Sequence, residues 1–214
     1  MIPIVSIVGK SDSGKTTLIE KIIPELRRRG YRVATIKHDI HGFEVDKEGK
    51  DSWRHRKAGA DTVIISSPEQ LALIKSVERD LTLAELREHF VDDVDIIVAE
   101  GFKKDVQPKI EVFRKEKHRE LLTSEEDDVV AVVANDKFDI PVPCLDLNDI
   151  KGVVDVIEEN FLHNKDEGDV ALTVDGKPVP ITPFVKTFIM QTVSAMVSTL
   201  KGCQNPKRIK ITIE

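Results

Sequence analysis

Residues 4 to 17 read Ile-Val-Ser-Ile-Val-Gly-Lys-Ser-Asp-Ser-Gly-Lys-Thr-Thr. The first five of these residues are mostly apolar and β-branched, which is typical of a strand buried in a parallel sheet. The remainder fits the phosphate-loop pattern Gly-x-x-x-x-Gly-Lys-Ser/Thr, and an amphipathic helix follows it, as that pattern requires. The stretch therefore predicts a strand, a loop and a helix that together bind the phosphates of a nucleoside triphosphate.

Each position of the loop has a physical role in that prediction. The glycines allow backbone angles that a Cβ would forbid, so consecutive N–H groups can turn towards a phosphate. Lys15 supplies positive charge to the β- and γ-phosphates and is a candidate catalytic residue, while the Thr16 hydroxyl is placed to bind Mg²⁺. The expected nucleotide contacts are Gly9, Lys10, Ser11, Asp12, Ser13, Gly14, Lys15, Thr16 and Thr17.

Strand and helix patterns alternate over the first 164 residues, which predicts an α/β domain with a mostly parallel sheet flanked by helices. With the phosphate loop, this is the pattern of a P-loop NTPase. Within this domain, Thr82 and Glu85 predict a capping box, and Asn148 is the expected N-cap of the last helix.

A second, smaller unit is predicted from residue 165 to residue 214. A polar segment from His163 to Gly168 marks the linker before it. The alternating pattern around Asp175 and Gly176 predicts a hairpin, and Pro183 begins a helical pattern. Alternation from Arg208 to Ile213 predicts a last strand, so we expect a ββαβ appendage of unknown role.

Bulk composition excludes several classes of function. The net charge of −6 gives no electrostatic basis for binding nucleic acid or an anionic membrane. No apolar stretch reaches the length of a membrane span, and the first strand begins too early for a signal peptide to precede it. Cys144 and Cys203 are far apart and lack metal-binding spacing, so we expect free thiols in a cytoplasmic protein.

Acidic and basic residues at the ends of later strands are candidates for the same site. Glu100 ends a buried apolar run, and a carboxylate there can hold Mg²⁺ or position the attacking water. An ordinary glutamate at a strand end is the alternative interpretation. Lys37 and His38 leave the second strand, and Asp46 and Asp51 follow on a polar segment. In P-loop proteins this region commonly carries a magnesium-linked acid and a switch, so Asp46 is a candidate metal ligand and the other three are candidate nucleotide contacts.

Two further site types are less well supported by the residue patterns. Asn135 and Asp136 follow a later strand and are candidates for contacting a guanine base, although their order differs from the usual Asn-Lys-x-Asp motif. A solvated turn explains them equally well. His38, His41 and His55 suggest a transition-metal site, but their irregular spacing and the lack of accompanying cysteines disfavour it.

Several of these residues stand in runs that together resemble one protein family. The runs are Gly9 to Thr17, Lys37-His38, Lys50-Asp51-Ser52, Glu100-Gly101-Phe102-Lys103 and Leu145-Asp146-Leu147-Asn148-Asp149. From about Met1 to Leu162 the chain resembles the molybdopterin-guanine dinucleotide biosynthesis adapter family.

The resemblance implies a homodimer that binds GTP with Mg²⁺ and hydrolyses it weakly. Such a protein would assist the molybdenum cofactor guanylyltransferase, which joins Mo-molybdopterin and GTP, and molybdopterin itself is a further candidate ligand. Three alternatives remain open at this stage: a small-molecule kinase, a metal-insertion GTPase, and an adapter gated by nucleotide with almost no turnover. The kinase is disfavoured because the basic cluster near residue 55 is too short to form a lid.

Overall fold

A six-stranded parallel sheet forms the centre of the protein. The computed structural model describes residues 1–39, 42–43, 46–124, 127–162, 170–174, 176–204 and 209–211. Its strands are β1 Ile4–Val8, β2 Val33–Lys37, β3 Thr62–Ser66, β4 Leu71–Lys75, β5 Ile96–Glu100, β6 Lys109–Phe113, β7 Val129–Ala134, β8 Cys144–Leu145, β9 Leu172–Val174 and β10 Lys177–Val179. Its α-helices are α1 Lys15–Arg28, α2 Asp51–Lys57, α3 Leu83–Phe90, α4 Ile150–Ile157 and α5 Pro183–Ser198.

The strand order in the central sheet is β2-β5-β1-β6-β7-β8, and every neighbouring pair is parallel. This confirms the predicted α/β class. Because the strands are parallel, their carboxyl ends meet at one edge of the sheet, and chain reversals on either side of β1 leave a crevice there. The topology therefore brings the ends of β1, β2, β5 and β6 close together.

Helices cover the central strands on both faces. On one face, α1 buries Leu18, Ile22 and Leu26 against the sheet, and α4 packs beside α1. On the other face, Leu83 at the start of α3 is fully buried in a small cluster that includes Ile97. A strand covered on both faces is apolar at nearly every position, as the sequence of β1 predicted.

The helix ends show one correct prediction and one error. The Thr82 hydroxyl accepts from the Glu85 amide, and the Glu85 carboxylate accepts from the Thr82 amide, which confirms the capping box. At α4 the predicted cap was wrong. Asp149 is the N-cap and accepts from the Gly152 amide at 3.0 Å, whereas the Asn148 side chain accepts from Lys21. Both residues are common caps, so composition alone did not separate them. After α4 the chain continues through a π-helical turn, Glu158–Leu162.

An antiparallel hairpin of β3 and β4 lies outside the central sheet. It follows α2, which packs against β3. Several of its large apolar side chains are exposed, among them Ile64 at 59% and Leu71 at 68%. This hairpin is the largest departure of the described domain from an alternation of parallel strands and helices.

The appendage agrees with its prediction in part. β9 and β10 pair as an antiparallel hairpin, and α5 begins after Thr182, whose hydroxyl accepts from the Val185 amide. The linker residues 163–168 lie outside the described residues. Of the predicted last strand, residues 209–211 are in neither a helix nor a strand, which contradicts the prediction at those positions, and residues 208, 212 and 213 lie outside the described residues. Regular pairing needs a neighbouring strand as well as an alternating pattern. No helix within the described ranges is long and apolar enough to span a membrane.

Candidate nucleotide site

A cavity of about 580 Å³ lies at the carboxyl edge of the central sheet, where the loop after β1 meets the ends of β5 and β6. The first turn of α1 forms its floor. Its lining residues are Ser11, Asp12, Gly14, Lys15, Thr16, Thr17, Glu100, Arg114 and Lys117. The structure thus groups six of the predicted loop residues with the predicted acid from β5.

The phosphate loop fits tightly against the neighbouring strand at Gly9. The φ angle of Gly9 is 148°, and a Cβ there would lie 2.5 Å from the Val112 carbonyl oxygen and 2.6 Å from Ser13 Oγ. Neither the angle nor the space allows a side chain, so glycine is required for the loop to pass β6. The Ser13 hydroxyl itself is buried and has no hydrogen-bond partner among the described residues.

The Lys15 ammonium lies inside the curve of the loop. Its Nζ donates to the Gly9 carbonyl at 3.1 Å and to the Lys10 carbonyl at 2.9 Å. Burial lowers the pKa of Lys15, while the nearby Glu100 and Asp12 carboxylates act in the opposite direction. A strand, a loop and a helix therefore hold one cation where the phosphate-loop pattern requires it.

Thr16 and Glu100 meet across the cavity. The Thr16 hydroxyl donates to Glu100 Oε1 at 2.9 Å, and Lys37 Nζ lies 3.7 Å from the same oxygen. The register of β2 and β5, which pairs Lys37 with Glu100, explains this proximity. A hydroxyl and a carboxylate at this spacing fit Mg²⁺, which takes one or two protein oxygens and completes its shell with phosphates and water.

Lys10 and His38, two of the predicted nucleotide contacts, do not line the cavity. Lys10 lies 3.6 Å from Glu120. His38 stacks on Phe102 with ring centroids 4.6 Å apart, and its Nε2 lies 2.6 Å from Asp80 Oδ2. Because successive side chains of a strand alternate between faces, Lys37 reaches Glu100 and His38 points to the other side.

The acids of the polar segment are held locally. Asp46 Oδ1 accepts from the Ser52 hydroxyl at 2.8 Å, and Asp51 lies 3.6 Å from Arg54 one turn along α2. Neither carboxylate lines the cavity. Within the described residues, no group of three or more histidine, cysteine and acidic side chains is placed to hold a metal ion.

The candidates for base recognition connect the turns after β6 and β7. Asn135 Nδ2 donates to both carboxylate oxygens of Glu116, at 2.7 and 2.8 Å, and Asn135 Oδ1 accepts from the Lys115 amide. The Asn135 hydrogen bond lowers the pKa of Glu116. Asp136 accepts from the amide of Lys137. These contacts order the two turns beside the cavity.

Arg114 and Lys117 line the cavity but were not among the predicted contacts. Arg114 is the first residue after β6, and its Nε donates to the Ser13 carbonyl at 3.1 Å. A usable signal existed in the sequence, because a charged residue directly after a buried strand of a parallel sheet falls at the ligand-binding edge.

The sequence profile of one family, described as molybdopterin guanine dinucleotide synthesis protein B (MobB), matches residues 4–135. The molybdopterin-guanine dinucleotide biosynthesis adapter protein of Haemophilus influenzae is 43% identical over 164 residues, which cover 76% of this chain and 91% of the relative. A putative adapter protein of the same description from Methanocaldococcus jannaschii is 30% identical over 237 residues, covering 99% of this chain and 97% of the relative. That alignment therefore extends into the appendage.

A solved structure shows the same fold. The crystal structure of a molybdopterin-guanine biosynthesis protein B superposes with a TM-score of 0.58 at 34% identity. The match covers 73% of this chain and 97% of that one.

Proposed function

Because the chain belongs to the MobB family, we propose that it is a GTP-binding adapter in molybdopterin guanine dinucleotide biosynthesis. We further propose that it hydrolyses GTP weakly and assists the guanylyltransferase that joins GTP to Mo-molybdopterin. The observation that carries the proposal is the convergence of Lys15, Thr16 and Glu100 on one cavity beside the phosphate loop. This is the minimum set for holding a triphosphate with its metal ion.

Each group of the site has a proposed role in binding the nucleotide that follows from its chemistry. The first amides of α1 and the loop N–H groups face the phosphates, and the helix dipole adds positive potential. Lys15 exchanges its carbonyl partners for phosphate oxygens of higher charge. Thr16 and Glu100 would hold Mg²⁺, which neutralises charge on the phosphates when it is bound. The remaining carboxylate oxygen of Glu100 is placed to orient a water molecule.

The same geometry supports slow hydrolysis. Glu100 Oε1 accepts from Thr16 and lies near Lys37, so this oxygen is already paired with a donor and a cation. This leaves one oxygen of the carboxylate to orient an attacking water. A site of this kind suits a protein that presents GTP to a partner enzyme better than one that turns it over rapidly.

Selectivity for guanine is proposed for the turns after β6 and β7. The strand order places them on the side of β1 away from Glu100, where the nucleoside must extend if Mg²⁺ and the γ-phosphate lie near Glu100. Asn135 and Asp136 stand in the second of these turns. Asp136 offers a carboxylate that can pair with the polar edge of guanine, and Asn135 would do so by exchanging its contacts with Glu116 and Lys115 for the base.

We also propose a homodimer. Within the described residues, the β3–β4 hairpin is a two-stranded sheet that exposes apolar side chains, and Phe184 and Phe188 on α5 are 78% and 60% exposed. Groups of large apolar side chains that are exposed to water usually mark an interface. A second copy of the chain is the partner that the family resemblance implies.

Titration calorimetry with GTP and with ATP, each with Mg²⁺, tests the binding proposal. We expect GTP to bind at least tenfold more tightly. Equal affinity for the two nucleotides would exclude guanine selectivity, and no binding of either would exclude the site. Steady-state GTP turnover, measured alone and with the guanylyltransferase, then separates an adapter from an independent enzyme. High turnover by the isolated protein would contradict the adapter role.

A further inference from the structure

The cavity beside the phosphate loop contains three cationic side chains, and only Lys15 belongs to the loop motif. Arg114 and Lys117 reach the cavity from the turn after β6. Asp12 and Glu100 are the acidic side chains among the lining residues. The lining side chains therefore carry three positive and two negative charges, which leaves net positive charge for a ligand.

Arg114 is held so that its Nε and its terminal nitrogens have different surroundings. Nε donates to the Ser13 carbonyl at 3.1 Å, which fixes the stem of the side chain to the phosphate loop. No ion pair joins the guanidinium to a carboxylate in the part of the chain that the structure describes. The terminal nitrogens thus remain available, although the side chain is half-buried.

The position of the guanidinium relative to Gly14 indicates which part of a nucleotide it meets. A Cβ at Gly14 would lie 3.0 Å from Arg114 Nε and 3.2 Å from Arg114 Nη2. Gly14 is the N-cap of α1, and the amides that follow it face the phosphates of a bound nucleotide. The guanidinium therefore lies against the part of the site where phosphate oxygens are expected.

The turn that carries Arg114 is braced at both of its ends. His118 Nε2 lies 2.8 Å from the Ser11 carbonyl oxygen, and the His118 amide donates to the Arg114 carbonyl. Further along, the buried Glu111 carboxylate accepts from the amides of Leu122 and Thr123. A side chain placed by fixed backbone contacts loses little conformational freedom when a ligand binds.

We propose that Arg114 is a second cation of the nucleotide site and that its terminal guanidinium nitrogens bind the phosphates. The proposal rests on the nucleotide-binding function given above. The planar fork of arginine matches two phosphate oxygens at once, which a lysine cannot do. Lys117, one turn further along, adds charge to the same wall.

Replacement of Arg114 by glutamine separates a ligand contact from a structural brace. The Nε2 group of glutamine takes the place of arginine Nε, so Arg114→Gln can keep the hydrogen bond to Ser13 while losing the charged head. We expect Arg114→Gln and Arg114→Ala each to weaken GTP binding with Mg²⁺ at least tenfold in calorimetry. Arg119→Gln removes an exposed arginine of the same loop and should change affinity less than twofold.

Tripolyphosphate with Mg²⁺ serves as a probe for the phosphates alone. We expect Arg114→Gln to weaken tripolyphosphate binding by a factor similar to that for GTP. Wild-type affinity of Arg114→Gln for both probes would reduce Arg114 to a brace and overturn the proposal. If Arg114→Gln bound GTP more weakly but bound tripolyphosphate normally, Arg114 would contact the nucleoside and not the phosphates, which also contradicts the proposal. Failure of the wild-type protein to bind GTP would instead remove the proposed function on which this inference depends.

Discussion

Strands β5 and β3 are both five residues long and largely apolar, yet their surroundings are opposite. β5 lies between β2 and β1 with covered faces, and its first four residues are buried. β3 pairs only with β4 in its sheet, and only Val63 is buried among its residues. The neighbours of a strand, more than its composition, therefore decide whether its apolar residues build a core or a contact surface. β5 is part of the buried sheet and positions Glu100 at its end, whereas β3 exposes apolar side chains to solvent.

The sharpest test of this contrast removes an isoleucine from each region. Ile97 in β5 is fully buried and Ile64 in β3 is 59% exposed. We expect Ile97→Ala to lower the free energy of unfolding by about 2–5 kcal/mol, because it leaves a cavity. Ile64→Ala should cost no more than about 0.5 kcal/mol in the isolated chain. Urea denaturation at low protein concentration measures both, and similar losses would show that β3 is part of the core.

Because the buried strands fix the position of the phosphate loop, we expect a large effect on GTP affinity when the loop lysine is removed. Lys15→Ala should weaken GTP binding by about 2–4 kcal/mol, as for removal of a buried charge partner, without loss of the fold. Lys21→Ala removes a lysine from the same helix outside the cavity and is the matched control. Calorimetry with Mg²⁺ provides the affinities. A folded Lys15→Ala protein with wild-type affinity would refute the phosphate-loop assignment.

Because the β3–β4 hairpin exposes its apolar side chains, we expect a substitution there to affect dimer assembly and not nucleotide binding. Leu71→Asp places a charge on a side chain that is 68% exposed in the chain and apolar in the proposed interface. We expect the dimer to weaken by about 1.5–3 kcal/mol, the value of burying one leucine. Light scattering after size-exclusion chromatography detects the change. An unaltered dimer would point instead to the appendage, and deletion of residues 165–214 tests that segment directly.

A moderate effect on GTP binding and hydrolysis is expected at the proposed Mg²⁺ site, to which β5 contributes Glu100. Thr16→Ala should reduce GTP affinity about tenfold with Mg²⁺, or about 1.4 kcal/mol, and much less with EDTA. Glu100→Gln keeps the shape of the side chain and should preserve binding while slowing hydrolysis. Titrations with and without Mg²⁺, together with phosphate release, give these values. Hydrolysis by Glu100→Gln at the wild-type rate would make the carboxylate structural.

The smallest effect concerns the ion pairs that Glu25 makes with Arg28 and Arg29 at the end of α1. Hydrogen bonds from Arg28 and Arg29 lower the pKa of Glu25 to about 2. Since the folded pKa is depressed, this stabilisation is present above the unfolded value of about 4.5 and is lost as the pH falls towards 2. We expect Glu25→Gln to lower Tm slightly at pH 7 and not at pH 2. A constant difference in Tm across that range would contradict the assignment.

Much of the fold could be predicted because the signals were local. The phosphate loop, the capping box of Thr82 and the apolar runs of the buried strands each depend on a few adjacent residues. The site was harder, because it depends on which strand ends become neighbours. Glu100 was found from its strand end, whereas Arg114 was missed although it directly follows the buried strand β6, and its contact with the distant Ser13 left no pattern of adjacent residues. His38 was grouped with Lys37, although alternation along β2 separates their side chains.

The close packing of Gly9 against the Val112 carbonyl has a mechanical consequence. A loop that touches the neighbouring strand without spare room cannot bend independently, so the phosphate loop and the centre of the sheet move as one stiff body. A partner can then sense the bound nucleotide only through elements that flank this body. The end of β2, which carries Lys37, and the turn after β6, which carries Arg114, flank this body on opposite sides. A partner enzyme that senses the nucleotide would therefore be expected to contact one of these two flanks.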